Sequence, residues 1–165
     1  GIIFEEVQRD QFSLQNFYTR RIRRILPALY FMLILCSLIY LLVARPSNVE
    51  SELLGGSILS VVAFFSNIHF AQNTGYFANS AELVPFLHTW SLSVEEQFYL
   101  IYPCLFLLAF RFGKTVLSWV IIGVACLSLV FAHLGFELLG KWNFYLLPTR
   151  GWEIAAGAKI GRAHV

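Results

Sequence analysis

The sequence predicts an all-α fold, a polytopic bundle of transmembrane helices, and three observations lead to that prediction. Hydrophobic residues make up 58% of the 165 residues and charged residues only 13%, which lies outside the usual balance of soluble domains. Several uncharged runs approach the about 20 residues that cross the hydrocarbon layer of a bilayer as a helix. Aromatic residues account for 16%, which excludes a low-complexity linker or an acidic tail. The net charge of +2 names no partner, and we expect no nucleic acid partner.

The first predicted span covers residues 25–43, nineteen residues without a charge. A polar segment, residues 5–16, and the run FYTRRIRR, residues 17–24, precede it. Pro27 lies near the start of the span, where a missing amide hydrogen does least harm, so we expect the helix to begin near this proline. The Arg-Pro pair at residues 45–46 ends it.

Residues 53–71 form a second uncharged stretch, but glycine, serine, asparagine and histidine interrupt its apolar character. The stretch either crosses the membrane fully or dips in and returns, because irregular backbone at membrane depth is tolerated where protein buries it. Residues 72–89 have the glycine, asparagine, serine and proline content of a loop. Their aromatic side chains suit the interface between membrane and water.

Three further apolar segments complete the predicted bundle: residues 90–110, 115–134 and 142–159. Together the segments amount to four or five membrane helices. Lysine and arginine collect on the cytoplasmic side of membranes, which places the 17–24 end of the first span in the cytoplasm. Strict alternation would then put Arg111 and Lys114 outside, against the same rule, whereas a re-entrant 53–71 would return them to the cytoplasmic side.

The cysteines Cys36, Cys104 and Cys126 all lie inside apolar runs. They form neither CxxC pairs nor the His-Cys spacing of a metal site. We therefore interpret them as buried structural thiols, and we expect no disulfide and no metal.

Both ends of the chain bear on its domain organisation. The chain begins at Gly1, without a methionine and already apolar, as if it followed directly on a preceding membrane helix. Residues 160–165, IGRAHV, correspond to the codons ATC GGA AGA GCA CAC GTC, which resemble a sequencing adapter. We therefore expect residues 1–159 to be a partial membrane domain and residues 160–165 a non-native tail, with a genuine tail as the alternative. This expectation removes Arg162 and His164 from consideration.

Four arginines adjoin the first predicted span: Arg20, Arg21, Arg23 and Arg24, here called the arginine cluster. On a helix that turns about 100° per residue they fall within an arc of about 160°, so one face carries four guanidinium groups. Arginine forks bind phosphate oxygens in pairs and keep their charge, which suits a polyphosphorylated molecule such as coenzyme A. The alternative is that the arginines only fix the topology or contact anionic lipid headgroups.

The run HTWSLSVEEQFY, which begins at His88, places two acidic residues near the start of the third apolar segment. Ser91 and Glu95 are four residues apart and share a helix face, where a carboxylate can orient a base, hold an arginine or bind a hydroxyl substrate. The competing interpretation is structural, because Ser93 and Glu96 have the spacing of a capping box. Both interpretations hold together if Glu96 caps the helix and Glu95 faces inward. We interpret His88 as an interfacial anchor rather than a general base.

The run PTRGWE, residues 148–153, leads into a small-residue stretch that permits close helix contact. Arg150 and Glu153 are three residues apart, with Trp152 between them. An inward Arg150 needs a carboxylate partner, which Glu153 or Glu95 can supply. The alternative is a plain interfacial anchor.

The runs FYTRRIRRILPALY, LHTWSLSVEEQFYLIYP and PTRGWEIAAG, in this order, resemble the acyltransferase-3 family of integral-membrane acyltransferases. The resemblance covers nearly all of residues 1–159, and WSLSVEEQFYL is its most specific part. It implies a multi-pass protein of the bacterial inner membrane, with about ten helices, that moves acetyl or other acyl groups onto surface carbohydrate such as lipopolysaccharide O-antigen. Acetyl-CoA or another acyl-CoA is the implied donor substrate, and no cofactor stays bound. The implied partners are the lipid bilayer, the acyl-CoA and the carbohydrate acceptor.

The resemblance also implies roles for residues. The family's Arg-x-x-Arg element, associated with the acyl-CoA side of the site, matches Arg20 with Arg23, or Arg21 with Arg24. The other two elements match Trp90, Ser91, Leu92, Ser93 and Glu95, and then Arg150, Trp152 and Glu153. The proposed catalytic histidine of the family lies in a first membrane helix that would precede Gly1. The catalytic residue is therefore unknown in this chain, and the supporting candidates are Glu95, Ser91, Arg150 and Glu153.

The resemblance implies that the arginine cluster binds acyl-CoA phosphates, that the upstream histidine acts as base or carrier, and that Glu95 and Arg150 organise a polar pocket. The chain by itself is then expected to be inactive. A polytopic transporter or flippase is an alternative, but it should contain paired broken helices or repeated halves, and the sequence has no such repeat. A structural membrane subunit is another alternative, and it would tolerate alanine at the arginine cluster and at Glu95.

Overall fold

The computed structural model describes residues 6–7, 9, 11–44, 47–73 and 84–163. Within these ranges the chain is helical and contains no strand, which confirms the predicted all-α class. The helices, in chain order, are α1 (Leu14–Ala44), α2 (Asn48–Val62), α3 (Ser66–Asn73), α4 (Trp90–Phe110), α5 (Lys114–Leu138), α6 (Trp142–Tyr145) and α7 (Leu147–Ala163), and a 3-10 turn, Leu87–Thr89, leads into α4. The chain divides into two compact units, a first unit of residues 2–59 and a second unit of residues 60–165.

Three stretches among the described residues are long and apolar enough to cross a membrane as helices. They are Leu14–Val43, Leu87–Phe110 and Thr115–Leu138. Each contains one of the predicted spans. Many of their large apolar side chains are exposed, including Phe31, Leu42 and Trp119. Such exposure is costly in water, whereas it is the ordinary state of a helix surface in contact with lipid.

The first helix starts earlier than the sequence suggested. α1 begins at Leu14 rather than near Pro27, which lies inside the helix. Ser13 caps this start, because its carbonyl accepts the Phe17 amide hydrogen at 3.0 Å and its hydroxyl accepts the Asn16 amide hydrogen at 3.4 Å. The proline removes one hydrogen bond from the helix, whereas the serine satisfies amides that a helix start leaves unpaired. The capping serine was the signal that sequence reasoning missed.

The stretch 53–71 is not one continuous helix. α2 ends at Val62, Phe64 has a left-handed φ of 55°, and α3 begins at Ser66. A non-glycine residue with that φ is uncommon and breaks a right-handed helix. The break agrees with the irregular backbone that the re-entrant alternative requires, and the path of the stretch relative to a membrane stays a prediction.

The second unit is built around α4, α5 and α7, with the most extensive contact between α5 and α7. The last apolar segment divides at Leu146, whose extended backbone separates α6 from α7. α5 and α6 approach so closely that a Cβ atom at Gly135 would lie 2.5 Å from the side-chain oxygen of Asn143. An apolar cavity of about 260 Å³ lies between α4, α5 and α7.

The interpretation of the cysteines as buried thiols is wrong. Cys36, Cys104 and Cys126 are all exposed, and none is in a disulfide. The reason is the solvent: in a helix that faces lipid, an apolar sequence context does not require burial inside protein.

Candidate functional site

The arginine cluster lies on α1, in the first unit, and the segment is helical as predicted. Arg20 donates from Nη2 to both carboxylate oxygens of Glu6, at 3.0 and 3.1 Å. The side chain of Arg20 is 55% exposed, and exposed pairs of this kind contribute at most about 1 kcal/mol. A stronger anion can therefore displace Glu6 at little cost.

The other members of the cluster differ in exposure. Arg21 is half-buried, whereas Arg23 and Arg24 are exposed. Neither Arg23 nor Arg24 has an ion-pair partner within the described part of the chain. Toward the described residues these two guanidinium groups keep their donors available, and such donors match the oxygens of phosphate.

Arg150, in the second unit, lies in a more enclosed setting. Its Nε donates to the Phe144 carbonyl at 3.1 Å, and its Nη1 donates to Glu153 Oε2 at 3.3 Å. The guanidinium carbon lies 4.4 Å from the ring centroid of Phe144 and 5.1 Å from that of Trp90. Both distances permit cation–π attraction. Of the two carboxylates that the sequence offered, Glu153 is the partner of Arg150, and no contact with Glu95 is made.

The carbonyls around α6 explain why Arg150 takes this position. The last carbonyls of a helix have no helical donor, and in apolar surroundings each needs another one. Four successive carbonyls, at residues 143–146, lie within hydrogen-bonding distance of side-chain donors, and two of them share the single hydroxyl hydrogen of Thr149. The pairs are Thr149 Oγ1 with Asn143 (2.5 Å), Arg150 Nε with Phe144 (3.1 Å), Asn67 Nδ2 with Tyr145 (3.1 Å) and Thr149 Oγ1 with Leu146 (2.8 Å). Arg150 is thus fixed partly by the fold itself.

The predicted capping box of Ser93 and Glu96 is wrong. α4 begins at Trp90, and Thr89 at the N-cap makes no side-chain capping hydrogen bond. Ser93 lies inside the helix and is buried, and its hydroxyl oxygen is 2.7 Å from that of Ser66. The 3-10 turn runs directly into α4 and starts the helix before Ser93, so Ser93 has no helix end to cap.

Ser91 and Glu95 share a face of α4 as predicted, but that face is exposed. The buried face carries Trp90 and Ser93 instead. The expectation that Glu95 faces inward is therefore corrected. Trp90 packs on α6 and Ser93 contacts α3, whereas Glu95 lies on the other face of α4. The Ser91 hydroxyl donates to the His88 carbonyl at 3.2 Å.

A buried polar network joins α3 to the start of α4, and sequence reasoning missed it. Its side chains are those of Ser66, Asn67, Thr89, Ser93 and Gln97. Ser66 Oγ donates to the Thr89 carbonyl at 3.0 Å, while Gln97 Nε2 donates to the Phe64 carbonyl at 2.8 Å and to Asn67 Oδ1 at 2.9 Å. Polar residues within apolar segments were the available signal, since such residues pair with one another in membrane proteins.

Two histidines, His69 and His88, lie among the described residues near α3 and α4. His88 is exposed, and no group of three or more metal-ligating side chains occurs within the ranges that the structure describes. His69 is half-buried on α3, with its Nδ1 3.2 Å from Asn73 Nδ2, and this burial lowers the pKa of its imidazole. α7 runs to Ala163, residues 164–165 lie outside the described residues, and the non-native tail stays a prediction.

Comparison with known proteins places this arrangement in a family. A family model described as an acyltransferase domain matches residues 4–165. An uncharacterized protein of Haemophilus influenzae is 36% identical over 171 residues, which cover 99% of this chain and 69% of that protein. No solved structure matches.

The relatives with functional names include two O-acetyltransferases. The peptidoglycan O-acetyltransferase OatA of Listeria monocytogenes is 32% identical over 97% of this chain and 26% of its own length. The O-acetyltransferase OatA of Staphylococcus aureus is 33% identical over 62% of this chain and 16% of its own length. The chain thus spans about a quarter or less of these two enzymes. The chain has long apolar helices, the arginine cluster on α1 and the Arg150–Glu153 pair on α7. On the family match, it belongs to the acyltransferase-3 family of membrane acyltransferases.

Proposed function

We propose that the enzyme to which this chain belongs transfers an acyl group from acyl-CoA to a hydroxyl of a cell-surface carbohydrate. The proposed acyl group is acetyl. The observation that carries the proposal is the match, over 97% of this chain, to a relative named peptidoglycan O-acetyltransferase. Lipopolysaccharide O-antigen is an acceptor of the same chemical kind, since it too offers sugar hydroxyls. The proposed location is the bacterial inner membrane.

The arginine cluster is the proposed donor site. Arg23 and Arg24 are exposed at the polar end of a helix whose remainder is apolar. This position suits a water-soluble, polyphosphorylated donor that approaches the membrane surface, because guanidinium forks pair with phosphate oxygens. Arg20 contributes a third fork when a phosphate replaces the carboxylate of Glu6.

The Arg150–Glu153 pair of the second unit is the proposed acceptor-binding group. Arg150 uses Nε and Nη1 in the fold, and its Nη2 has no acceptor in the described part of the chain. The Glu153 side chain is 47% exposed. A sugar hydroxyl can both donate to such a carboxylate and accept from such a guanidinium. The general base is assigned to no residue of this chain, and the upstream histidine that the resemblance implies is the proposed candidate.

The donor assignment is tested in the full-length enzyme, in native membranes supplied with labelled acetyl-CoA. We expect the double substitution Arg23→Glu and Arg24→Glu to raise the KM for acetyl-CoA at least about tenfold, because it removes charge-assisted hydrogen bonds. Arg111→Glu is the matched control, an exposed arginine at the end of α4 and outside the cluster. An unchanged KM in the double variant contradicts the donor site. Absence of labelled carbohydrate from the wild-type enzyme contradicts the proposed function itself.

A further inference from the structure

A serine of α5 bridges the first turn of α7. Ser128 Oγ donates to the Pro148 carbonyl at 2.6 Å and accepts the Trp152 amide hydrogen at 2.9 Å. In a regular α-helix the amide of residue 152 would donate directly to the carbonyl of residue 148. The serine hydroxyl therefore bonds to both of the backbone groups that close the turn containing Arg150.

The bridge is buried where α5 meets α7. Ser128 is 4% exposed, and a Cβ atom at Gly151 would lie 3.4 Å from Ser128 Oγ. Ser128 thus lies within contact distance of the Gly151 position and within hydrogen-bonding distance of the α7 backbone. A side chain that bonds to both backbone groups of one helical turn helps to set the local path of the backbone.

The same turn determines where the Arg150 guanidinium lies. Arg150 is held through Nε on the Phe144 carbonyl and by contact with the rings of Phe144 and Trp90. These contacts are short-ranged, so a shift of the α7 backbone at residue 150 moves the guanidinium relative to both rings. Polar groups that act on a substrate lose effect when they are displaced by about 1 Å.

We propose that Ser128 is a positioning residue for Arg150. Its hydroxyl fixes the turn from Pro148 to Trp152 and so keeps Nη2 of Arg150, which has no acceptor among the described residues, directed at the carbohydrate acceptor. The inference rests on the proposed function for the identity of that acceptor. A purely structural serine would satisfy the same two backbone groups without any selective effect on acceptor binding.

The test compares Ser128→Ala with Ser118→Ala in the full-length enzyme. Ser118 lies on the same helix, α5, and is exposed. We expect Ser128→Ala to raise the KM for the carbohydrate acceptor about tenfold and to leave the KM for acetyl-CoA unchanged. Ser118→Ala should alter neither constant. Equal changes in both KM values, or a loss of thermal stability alone, would overturn the positioning role.

A double-mutant cycle with Arg150→Lys supplies the second measurement. If Ser128 acts through Arg150, Ser128→Ala adds no further increase in acceptor KM once Arg150 is lysine, whereas an independent role gives additive effects. The midpoint of thermal unfolding of the same four proteins gives a cycle that needs no acyl transfer. If the wild-type enzyme transfers no acyl group, the proposed function fails. The coupling between Ser128 and Arg150 is then judged from the unfolding midpoints alone: non-additive midpoints support it, and additive midpoints overturn it.

Discussion

Arg150 has two roles at the scale of single residues. Its Nε satisfies the Phe144 carbonyl, and its Nη1 holds Glu153. The spacing of three residues predicted the pair with Glu153, because residues i and i+3 are neighbours on a helix. The contact with the Phe144 carbonyl could not be predicted, because it depends on the break between α6 and α7.

Removal of Arg150 should destabilise the protein far more than removal of the charge on its partner. We expect Arg150→Ala to lower the free energy of unfolding by about 2 to 3 kcal/mol, since it leaves a carbonyl unpaired and removes the ring contacts. Glu153→Gln should lower it by less than about 1 kcal/mol, because the pair is partly exposed. Thermal unfolding in detergent measures both variants. Similar losses in the two variants would show that the ion pair, not the carbonyl contact, holds Arg150.

His69 should make stability depend on pH in one direction. Burial lowers the pKa of His69 below its ordinary value of 6.5, so the unfolded chain binds the proton more readily than the folded chain. The contribution is fully present above pH 6.5 and is lost as pH falls through the folded-state pKa. As pH falls below 6.5, the unfolding midpoint of the wild-type protein should decrease. The midpoint of His69→Gln should decrease less over the same pH range. An identical pH dependence in both proteins would contradict the assignment to His69.

At the scale of elements, the existence of the long helices followed from the length of uncharged runs. Their ends did not, because they depend on local hydrogen bonds. Ser13 starts α1 well before Pro27, and Gln97 holds the Phe64 carbonyl at the break between α2 and α3. The face of α4 that packs against protein depends on which contacts Trp90 and Ser93 make at the start of the helix. Those contacts could not be read from the sequence, so Glu95 was assigned to the wrong face.

The contact between α5 and α6 should tolerate no side chain at Gly135. A Cβ atom there would lie 2.5 Å from Asn143 Oδ1, whereas one at Gly123 meets nothing within 4 Å. We expect Gly135→Ala to lower the free energy of unfolding by about 1 to 3 kcal/mol through overpacking. Gly123→Ala, on the same helix, should raise it by up to about 1 kcal/mol, because alanine loses less conformational freedom. Thermal unfolding compares the two, and an equal response would contradict the close packing.

At the scale of the whole molecule, three long apolar helices with many exposed large side chains suit a bilayer. The composition predicted this environment, because 58% hydrophobic and 13% charged residues lie outside the usual balance of soluble domains. Which side chains face lipid could not be read from composition, since it depends on which helices pack together. The cysteines illustrate the difference, because all three are exposed despite their apolar neighbours.

Expressed in bacteria, the chain should behave as an integral membrane protein. We expect nearly all of it to stay in the membrane pellet after an alkaline carbonate wash, because three helices each bury about 20 apolar residues in hydrocarbon. A peripheral membrane protein, released by the same wash, is the control. Immunoblots of pellet and supernatant give the result, and recovery of most of the chain in the supernatant would contradict a spanning arrangement.

The exposed cysteines can also be used to measure how deep the helices lie in the bilayer. Cys36, Cys104 and Cys126 lie on α1, α4 and α5, one on each of the three long apolar helices. A nitroxide label on each thiol in turn, with the other two replaced by serine, would report contact with lipid-soluble oxygen or with a water-soluble paramagnetic ion. The native sequence thus provides one labelling site on each of the three long helices. The depth of each site in the bilayer can be measured without adding a cysteine.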